Sequence, residues 1–397
     1  MLSPRALVSL LRCSSLPRAL VLGAGLALGC ERAPALVGEH MKRGDIALAE
    51  GHYPQAIAAY NHARELAPHD PEVQRALMRA RVFVVAETPA RVSADAFEDA
   101  RYEAQLLLDT DKGREALYLC ALGNLLARQG DVEGAKSRFA EALKIDPSSP
   151  LAHAGLGLAL TAHKEGLPQA KSELEAALRS RPDLMSALVA LGQIKLAEGD
   201  LVSAADRLES ALRTGDDFNA RMALGSVRVQ QQKPAEAIEH FQRAAQLDPR
   251  SADALTSLGQ ALLGLGKADE AERALRAALQ LRQDQPAMVA LGFALSRQKK
   301  AEQALGVFGQ VLSQDGGVAP ALYGAAMASE DLGRPEQAMD FYRRLLALPT
   351  DGPQKQVLGD LRKEAQTRLI ALSAALPASS ASSGPAAPRR PDPLNTR

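Results

Sequence analysis

The residues best suited to chemistry in this chain are its histidines, and their spacing matches no catalytic or metal-binding arrangement. Four of the seven histidines, His40, His52, His62 and His69, are separated by 12, 10 and 7 residues. These intervals do not place the four side chains together on one face of a helix, so we expect solvated surface residues. The zinc-protease pattern H-E-x-x-H is absent, as is the nucleophile pattern G-x-S-x-G. We therefore predict a protein without enzyme activity, metal or cofactor.

Cys30 is the residue whose setting predicts a covalent modification. Residues 1–29 contain three arginines and no acidic residue, and Ala19–Leu28 is apolar. Such a stretch is too short to span a bilayer and is typical of a signal peptide. The sequence Leu26-Ala27-Leu28-Gly29-Cys30 resembles a bacterial lipobox, which implies lipidation of Cys30 and a membrane anchor. The alternative is ordinary signal cleavage at the same place, because Ala27-Leu28-Gly29 also resembles an A-x-A-like site.

Charge and composition narrow the classes of protein further. Lys+Arg and Asp+Glu both number 47, so the net charge is zero, and no nucleic-acid partner is expected without a basic excess. Apolar residues make up 46% of the chain, whereas aromatic residues make up only 4% and Trp is absent. The apolar share is therefore carried by Ala, Leu and Val. Since Ala and Leu are strong helix formers, we predict an all-α fold.

An internal repeat of about 34 residues runs through most of the chain. Aligned on Leu122-Gly123, a second glycine follows after seven residues and an alanine after five more. This central alanine occurs in eight copies: Ala56, Ala135, Ala170, Ala204, Ala237, Ala271, Ala304 and Ala338. Each unit has room for two helices, and the small residues mark where the two must approach closely. No unit can bury its apolar face alone, so neighbouring units are expected to stack.

The pattern resembles the tetratricopeptide repeat family. The resemblance covers residues 37–352 and implies a right-handed superhelical solenoid of about eight to nine helix-turn-helix repeats. The segments that we predict are a signal peptide (1–29), a linker to the lipid (30–36), one repeat (37–70), a degenerate repeat with a long inter-helix loop (71–115), seven repeats (116–352), a capping helix (353–375) and a disordered tail (376–397).

The resemblance also implies a concave groove that binds a protein partner, lined by residues three before and one after the glycine of each first helix. The candidate groove residues are Asn124, Gln193, Met222, Ser226, Gln260, Phe293, Tyr323 and Met327. No Lys or Arg occurs at these positions, which disfavours the branch of the family that clamps the C-terminal carboxylate of a chaperone. For the apolar end of the strip two interpretations stay open: core between repeats, or an exposed surface that contacts the ligand.

These observations together predict a non-enzymatic scaffold lipoprotein in the bacterial cell envelope. Family resemblance implies a pilotin-like role, in which the protein assists the assembly or stability of an envelope complex. Glu31 follows the cysteine, where lipoproteins retained in the inner membrane commonly carry Asp, so an outer-membrane anchor facing the periplasm is favoured. The alternative is a component of exopolysaccharide synthesis or export, and an undetected enzyme is a more remote one.

Overall fold

The computed structural model describes residues 22–49, 52–87, 94–349 and 355–375, and within these ranges the regular secondary structure is helical. The helices are α1 (Leu22–Ala49), α2 (Tyr53–Leu66), α3 (Pro71–Glu87), α4 (Ala94–Thr110), α5 (Glu115–Arg128), α6 (Val132–Ile145), α7 (Pro150–Leu160), α8 (Leu167–Ser180), α9 (Met185–Ala197), α10 (Leu201–Thr214), α11 (Phe218–Gln230), α12 (Pro234–Leu247), α13 (Ala252–Gly264), α14 (Ala268–Leu281), α15 (Gln285–Arg297), α16 (Ala301–Gln314), α17 (Ala319–Asp331), α18 (Pro335–Ala347) and α19 (Lys355–Ala375). A 3-10 turn at Lys164–Gly166 precedes α8. The prediction of an all-α solenoid of helix-turn-helix repeats is confirmed.

Small residues hold the two helices of each repeat together. All eight central alanines are fully buried. The glycine of each first helix faces a large residue of the second, and a Cβ atom placed on Gly225 would lie 2.5 Å from the ring of Phe241. The same close approach recurs between Gly123 and Phe139. Because these contacts leave no space for a methyl group, the repeated small residues set the distance between paired helices.

The turn between paired helices needs one residue with a left-handed backbone. Glycine supplies it at Gly130, Gly199, Gly266 and Gly333, where φ lies between 69° and 86°. Two repeats use a residue with a side chain instead, Gln232 at a φ of 59° and Lys299 at 64°. A left-handed backbone is unfavourable for residues that carry a Cβ atom, so these two turns are more strained than the turns that use glycine.

The chain divides into two compact units, Met1–Leu191 and Gly192–Arg397, with the boundary inside α9. In the first unit the main core lies around Tyr118, Leu122 and Phe139.

In the same unit, α3 packs against both α4 and α5, and the half-buried Arg81 pairs with Glu103 at 2.5 Å. Burial raises the pKa of Glu103, and Arg81 offsets only part of that rise. Of the inter-helix loop predicted at 86–91, Ala86 and Glu87 are the last residues of α3, and residues 88–91 lie outside the described residues.

The second unit has a core that spans α12 to α17 and a separate cluster beneath α19. In that cluster Ala365 is fully buried, and leucines of α19 pack against the last repeat. The helix therefore covers the apolar end that a stack of repeats would otherwise expose, as a capping helix is expected to do.

The N-terminal helix α1 continues without a break through the predicted linker 30–36. Residues 1–21 and the side chain of Cys30 lie outside the described part, as does the tail 376–397. Among the described helices, none is both long enough and apolar enough to cross a bilayer.

Candidate functional site

The first unit contains a cleft between the first helices of two successive repeats, α5 and α7. Its volume is about 540 Å³, and its floor is Phe139, which is almost completely buried. Asn124, a predicted groove residue, lies on the α5 wall, and Leu158 lies on the opposite wall. Gly155 packs directly against this ring, and a Cβ atom there would lie 2.3 Å from Phe139.

The second unit contains a cleft of the same design between α11 and α13, with a volume of about 480 Å³. Phe241 forms its floor, and the predicted groove residues Ser226 and Gln260 lie on its two walls. Ser226, Phe241 and Gln260 each follow their counterparts Asn124, Phe139 and Leu158 by three repeats of about 34 residues. The repeat architecture therefore produces a cleft of the same design in each unit.

The cleft of the second unit is uncharged. Its described lining residues are Ser226, Val229, Gln230, Gln232, Pro234, Phe241, Ser257, Gln260, Ala261 and Gly264, and none of these ionises near neutral pH. The hydroxyl of Ser226 donates a hydrogen bond to the carbonyl of Met222 at 3.0 Å, which leaves its oxygen lone pairs available as acceptors. Hydroxyl and amide groups thus surround an apolar floor.

The other predicted groove residues lie in different surroundings. Gln193 is exposed on α9. Met222 is half-buried against the core of the second unit and also borders a separate depression with Phe218 and Arg250. Phe293 is half-buried, and its ring meets that of Phe308 edge-on with centroids 5.2 Å apart. These side chains do not form one continuous binding site.

Tyr323 and Met327 belong to the contact with the capping helix. Tyr323 is only 7% exposed, and its ring centre lies 6.2 Å from that of Tyr342. Burial, followed by a hydrogen bond to Glu364 of α19, raises the pKa of Tyr323 to about 12. Met327 is half-buried in the same cluster. Two interpretations of the apolar end were open, a core or an exposed surface that contacts the ligand. Tyr323 is part of a core, packed between helices.

The two phenylalanine floors are not among the site residues predicted from the sequence. The available signal was the pairing of a phenylalanine in one second helix with a very small residue in the next first helix. Phe139 is paired in this way with Gly155, and Phe241 with Ser257. In repeats where leucine stands at the phenylalanine position, as at Leu208, the matching residue is alanine, Ala223.

Comparison with family models identifies the fold family. Models described as tetratricopeptide repeat match residues 116–149, 164–220, 228–292 and 289–353, which together are more than half of the chain. The chain belongs to the tetratricopeptide repeat family. Tetratricopeptide repeat families are typically non-catalytic and bind proteins, and no enzyme family is indicated by these matches.

Solved structures of other tetratricopeptide repeat proteins are similar to this chain. The Cut9 and Hcn1 complex of the APC/C aligns over 74% of this chain and 55% of its own, with 20% identity and a TM-score of 0.51. The pilF protein of Pseudomonas aeruginosa aligns over 53% of this chain and 97% of its own, with 24% identity and a TM-score of 0.47. YrrB, a repeat protein with an unusual peptide-binding site, aligns over 47% and 96%, with 22% identity and a TM-score of 0.42. No curated protein matched the sequence.

Proposed function

We propose that this tetratricopeptide repeat protein is a lipid-anchored scaffold of the bacterial envelope that binds a protein partner and assists the assembly or stability of an envelope complex. The observation that carries the proposal is the recurrence of one cleft, with an aromatic floor, at equivalent positions of both units. A repeated cleft suits a repeated or extended partner, because each copy can take one segment of it. The pilotin-like role and the envelope location rest on the sequence resemblance alone.

The chemistry of the second cleft favours an uncharged, partly apolar peptide segment. An extended peptide brings backbone N–H and C=O groups that need hydrogen-bond partners once they leave water. Gln230 and Gln260 offer both donors and acceptors at the rim, while the exposed side chain of Val229 offers apolar contact. No lysine or arginine lines this cleft to hold a terminal carboxylate, so an internal segment fits better than a chain end.

The alternative function, a role in exopolysaccharide synthesis or export, draws on the same amide and hydroxyl rim. A sugar that stacks on an aromatic ring needs the face of that ring to be accessible. Phe241 is only 3% exposed, so direct stacking of a glycan on it is disfavoured. Under this alternative the cleft would bind a protein of the polysaccharide machinery rather than the polysaccharide itself.

Site-specific photo-crosslinking tests the binding site. A photoreactive amino acid placed at Gln260, an exposed residue of the cleft rim, should crosslink to the partner in intact cells. The matched control is Gln310, which is exposed on the second helix of its repeat and belongs to neither cleft. Crosslinks to secretin or envelope-assembly proteins would support the proposal, and crosslinks to a polysaccharide synthase or porin would support the alternative. Equal crosslinking from both positions would contradict the cleft as the binding site.

Fractionation of a Cys30→Ser variant tests the anchor. Lipidation adds two or three acyl chains, and more than one chain gives stable membrane attachment. We therefore expect the wild-type protein in the membrane fraction and the variant in the soluble fraction. If the variant remained in detergent-free membranes at wild-type levels, the lipid-anchor proposal would be wrong, whereas the cleft proposal would stand.

A further inference from the structure

Two histidines that are far apart in the sequence meet on the surface of the first unit. His40 lies on α1 and His62 lies on α2, and these two helices pack against each other. Their imidazole rings have centroids 5.5 Å apart, with an angle of 36° between the ring planes. The spacing of the histidines in the sequence does not predict this pair, because the two residues belong to different helices rather than to one helical face.

The distance between the rings is close to the one that a shared metal ion requires. Zn²⁺ binds imidazole nitrogen at about 2.0–2.1 Å, so two imidazoles on one tetrahedral ion hold their ring centres roughly 5 Å apart. Imidazole is a preferred ligand of Zn²⁺, Ni²⁺ and Cu²⁺. No cluster of three or more candidate metal ligands occurs within the described residues, so these two rings would leave the other coordination positions to water.

Glu65 orients one of the two rings for this role. Its carboxylate Oε2 lies 3.4 Å from Nδ1 of His62. Because a carboxylate only accepts hydrogen bonds, Nδ1 of His62 must be the donor, and the lone pair of the neutral ring is then on Nε2. Metal-binding histidines commonly donate their other nitrogen to a carboxylate in this manner, which fixes the ring and increases its basicity.

We infer that His40 and His62 form a two-histidine chelate for a divalent transition-metal ion such as Zn²⁺, which clips α1 to α2 in the first repeat. The inference is independent of the proposed partner-binding function. An ion that binds the folded hairpin and not the unfolded chain stabilises the fold in proportion to the logarithm of its concentration. The ion would therefore strengthen the helix pair whose first helix, α1, contains the predicted lipid anchor Cys30.

Zn²⁺ titration of the full-length protein, made without a histidine tag, tests the chelate. Cys13→Ser and Cys30→Ser are introduced throughout, because thiolates also bind Zn²⁺. Isothermal calorimetry with ZnCl₂ should show one site, and His40→Ala and His62→Ala should each weaken its affinity about tenfold or more. The matched control is His69→Ala, an exposed histidine outside the pair, which should leave the affinity unchanged.

A second measurement separates loss of the ligand from loss of the fold. Thermal unfolding followed by circular dichroism should show that excess Zn²⁺ raises the melting temperature relative to EDTA in wild type and in His69→Ala, but not in His62→Ala. His62 is exposed, so its replacement should leave the melting temperature in EDTA unchanged. Equal Zn²⁺ affinities of wild type and His62→Ala, or no saturable binding in wild type, would overturn the inference and leave a simple ring contact.

Discussion

Phe308 shows how one large side chain restricts the residue that it meets in the next repeat. Its ring fills the space in front of Gly324, where an added Cβ atom would lie 2.3 Å from the ring. The ring is fully buried between two helices and has no direction in which to move. A glycine in the middle of α17, which would ordinarily weaken a helix, is therefore required by packing.

Replacement of this glycine should destabilise the protein. Gly324→Ala should lower the free energy of unfolding by about 1–3 kcal/mol, the usual cost of overpacking a core. The matched control is Gly306→Ala on α16, where an added Cβ atom meets nothing within 4 Å. That control should raise the free energy of unfolding by about 0.5–1 kcal/mol, because alanine favours helix more than glycine does. Urea denaturation measures both, and a destabilised Gly306→Ala would contradict this assignment.

The strained turn at Lys299 predicts a substitution of opposite sign. A left-handed backbone costs a residue with a Cβ atom roughly 1–2 kcal/mol, part of which glycine recovers. Lys299→Gly should therefore raise the free energy of unfolding by about 0.5–1 kcal/mol. In the equivalent turn, Gly266→Ala should lower it, since Gly266 has a φ of 81°. The same urea titration serves for both variants, and a loss of stability in Lys299→Gly would show that its side chain matters more than its backbone.

At the scale of single elements, the capping helix α19 decides what the last repeat exposes. Its arginine Arg368 lies 3.4 Å from Glu330 of α17, and Glu364 accepts the hydrogen bond of Tyr323. The side of α17 that family resemblance assigns to a groove is thus partly occupied by another element of the same chain. The amphipathic pattern of residues 358–372 predicts such a helix, but a pattern within one helix cannot show which neighbouring side chains it covers.

A charge placed beneath α19 should detach it. Ala365 is fully buried, and Ala365→Asp would place an unpaired carboxylate there at a cost of about 3 kcal/mol. We expect faster amide hydrogen exchange in α17, α18 and α19, measured by mass spectrometry. Gln366→Asp adds the same charge at the next, exposed position and should leave exchange unchanged. If both variants exchanged alike, the packing of α19 on the last repeat would be refuted.

For the whole molecule, the substantial helix contacts in the described ranges join helices one or two places apart in the sequence. A destabilising substitution should therefore affect its own repeat and the neighbouring ones most, rather than unfold the whole chain. Ala237→Phe, at a fully buried central alanine, should speed hydrogen exchange in α11 to α14 and leave α5 to α8 protected. Ala235→Phe, at an exposed position of the same helix, is the control. Loss of protection throughout both units would indicate global cooperativity instead.

The repeat period was sufficient to predict the helix pairs, the buried alanines and the glycine turns, because all of these depend on residues close together in the sequence. The surface features were harder to predict. The pairing of His40 with His62 and the burial of Tyr323 under α19 both depend on contacts between different helices. Periodicity gives the face of a helix on which a residue lies, but it does not give the side chain that lies opposite.

The two clefts also bear on how such a chain changes over generations. Both clefts keep the phenylalanine floor, whereas the wall residues differ: Asn124 in one corresponds to Ser226 in the other, and Leu158 corresponds to Gln260. Copying a second helix together with the first helix that follows it, as α6 with α7, adds a further cleft, because the copy brings both the phenylalanine floor and the small residue that faces it. Substitutions of the wall residues can then change which partner segment each cleft binds, without disturbing the core. In a protein built this way, new specificity arises by duplication followed by divergence of a few surface positions.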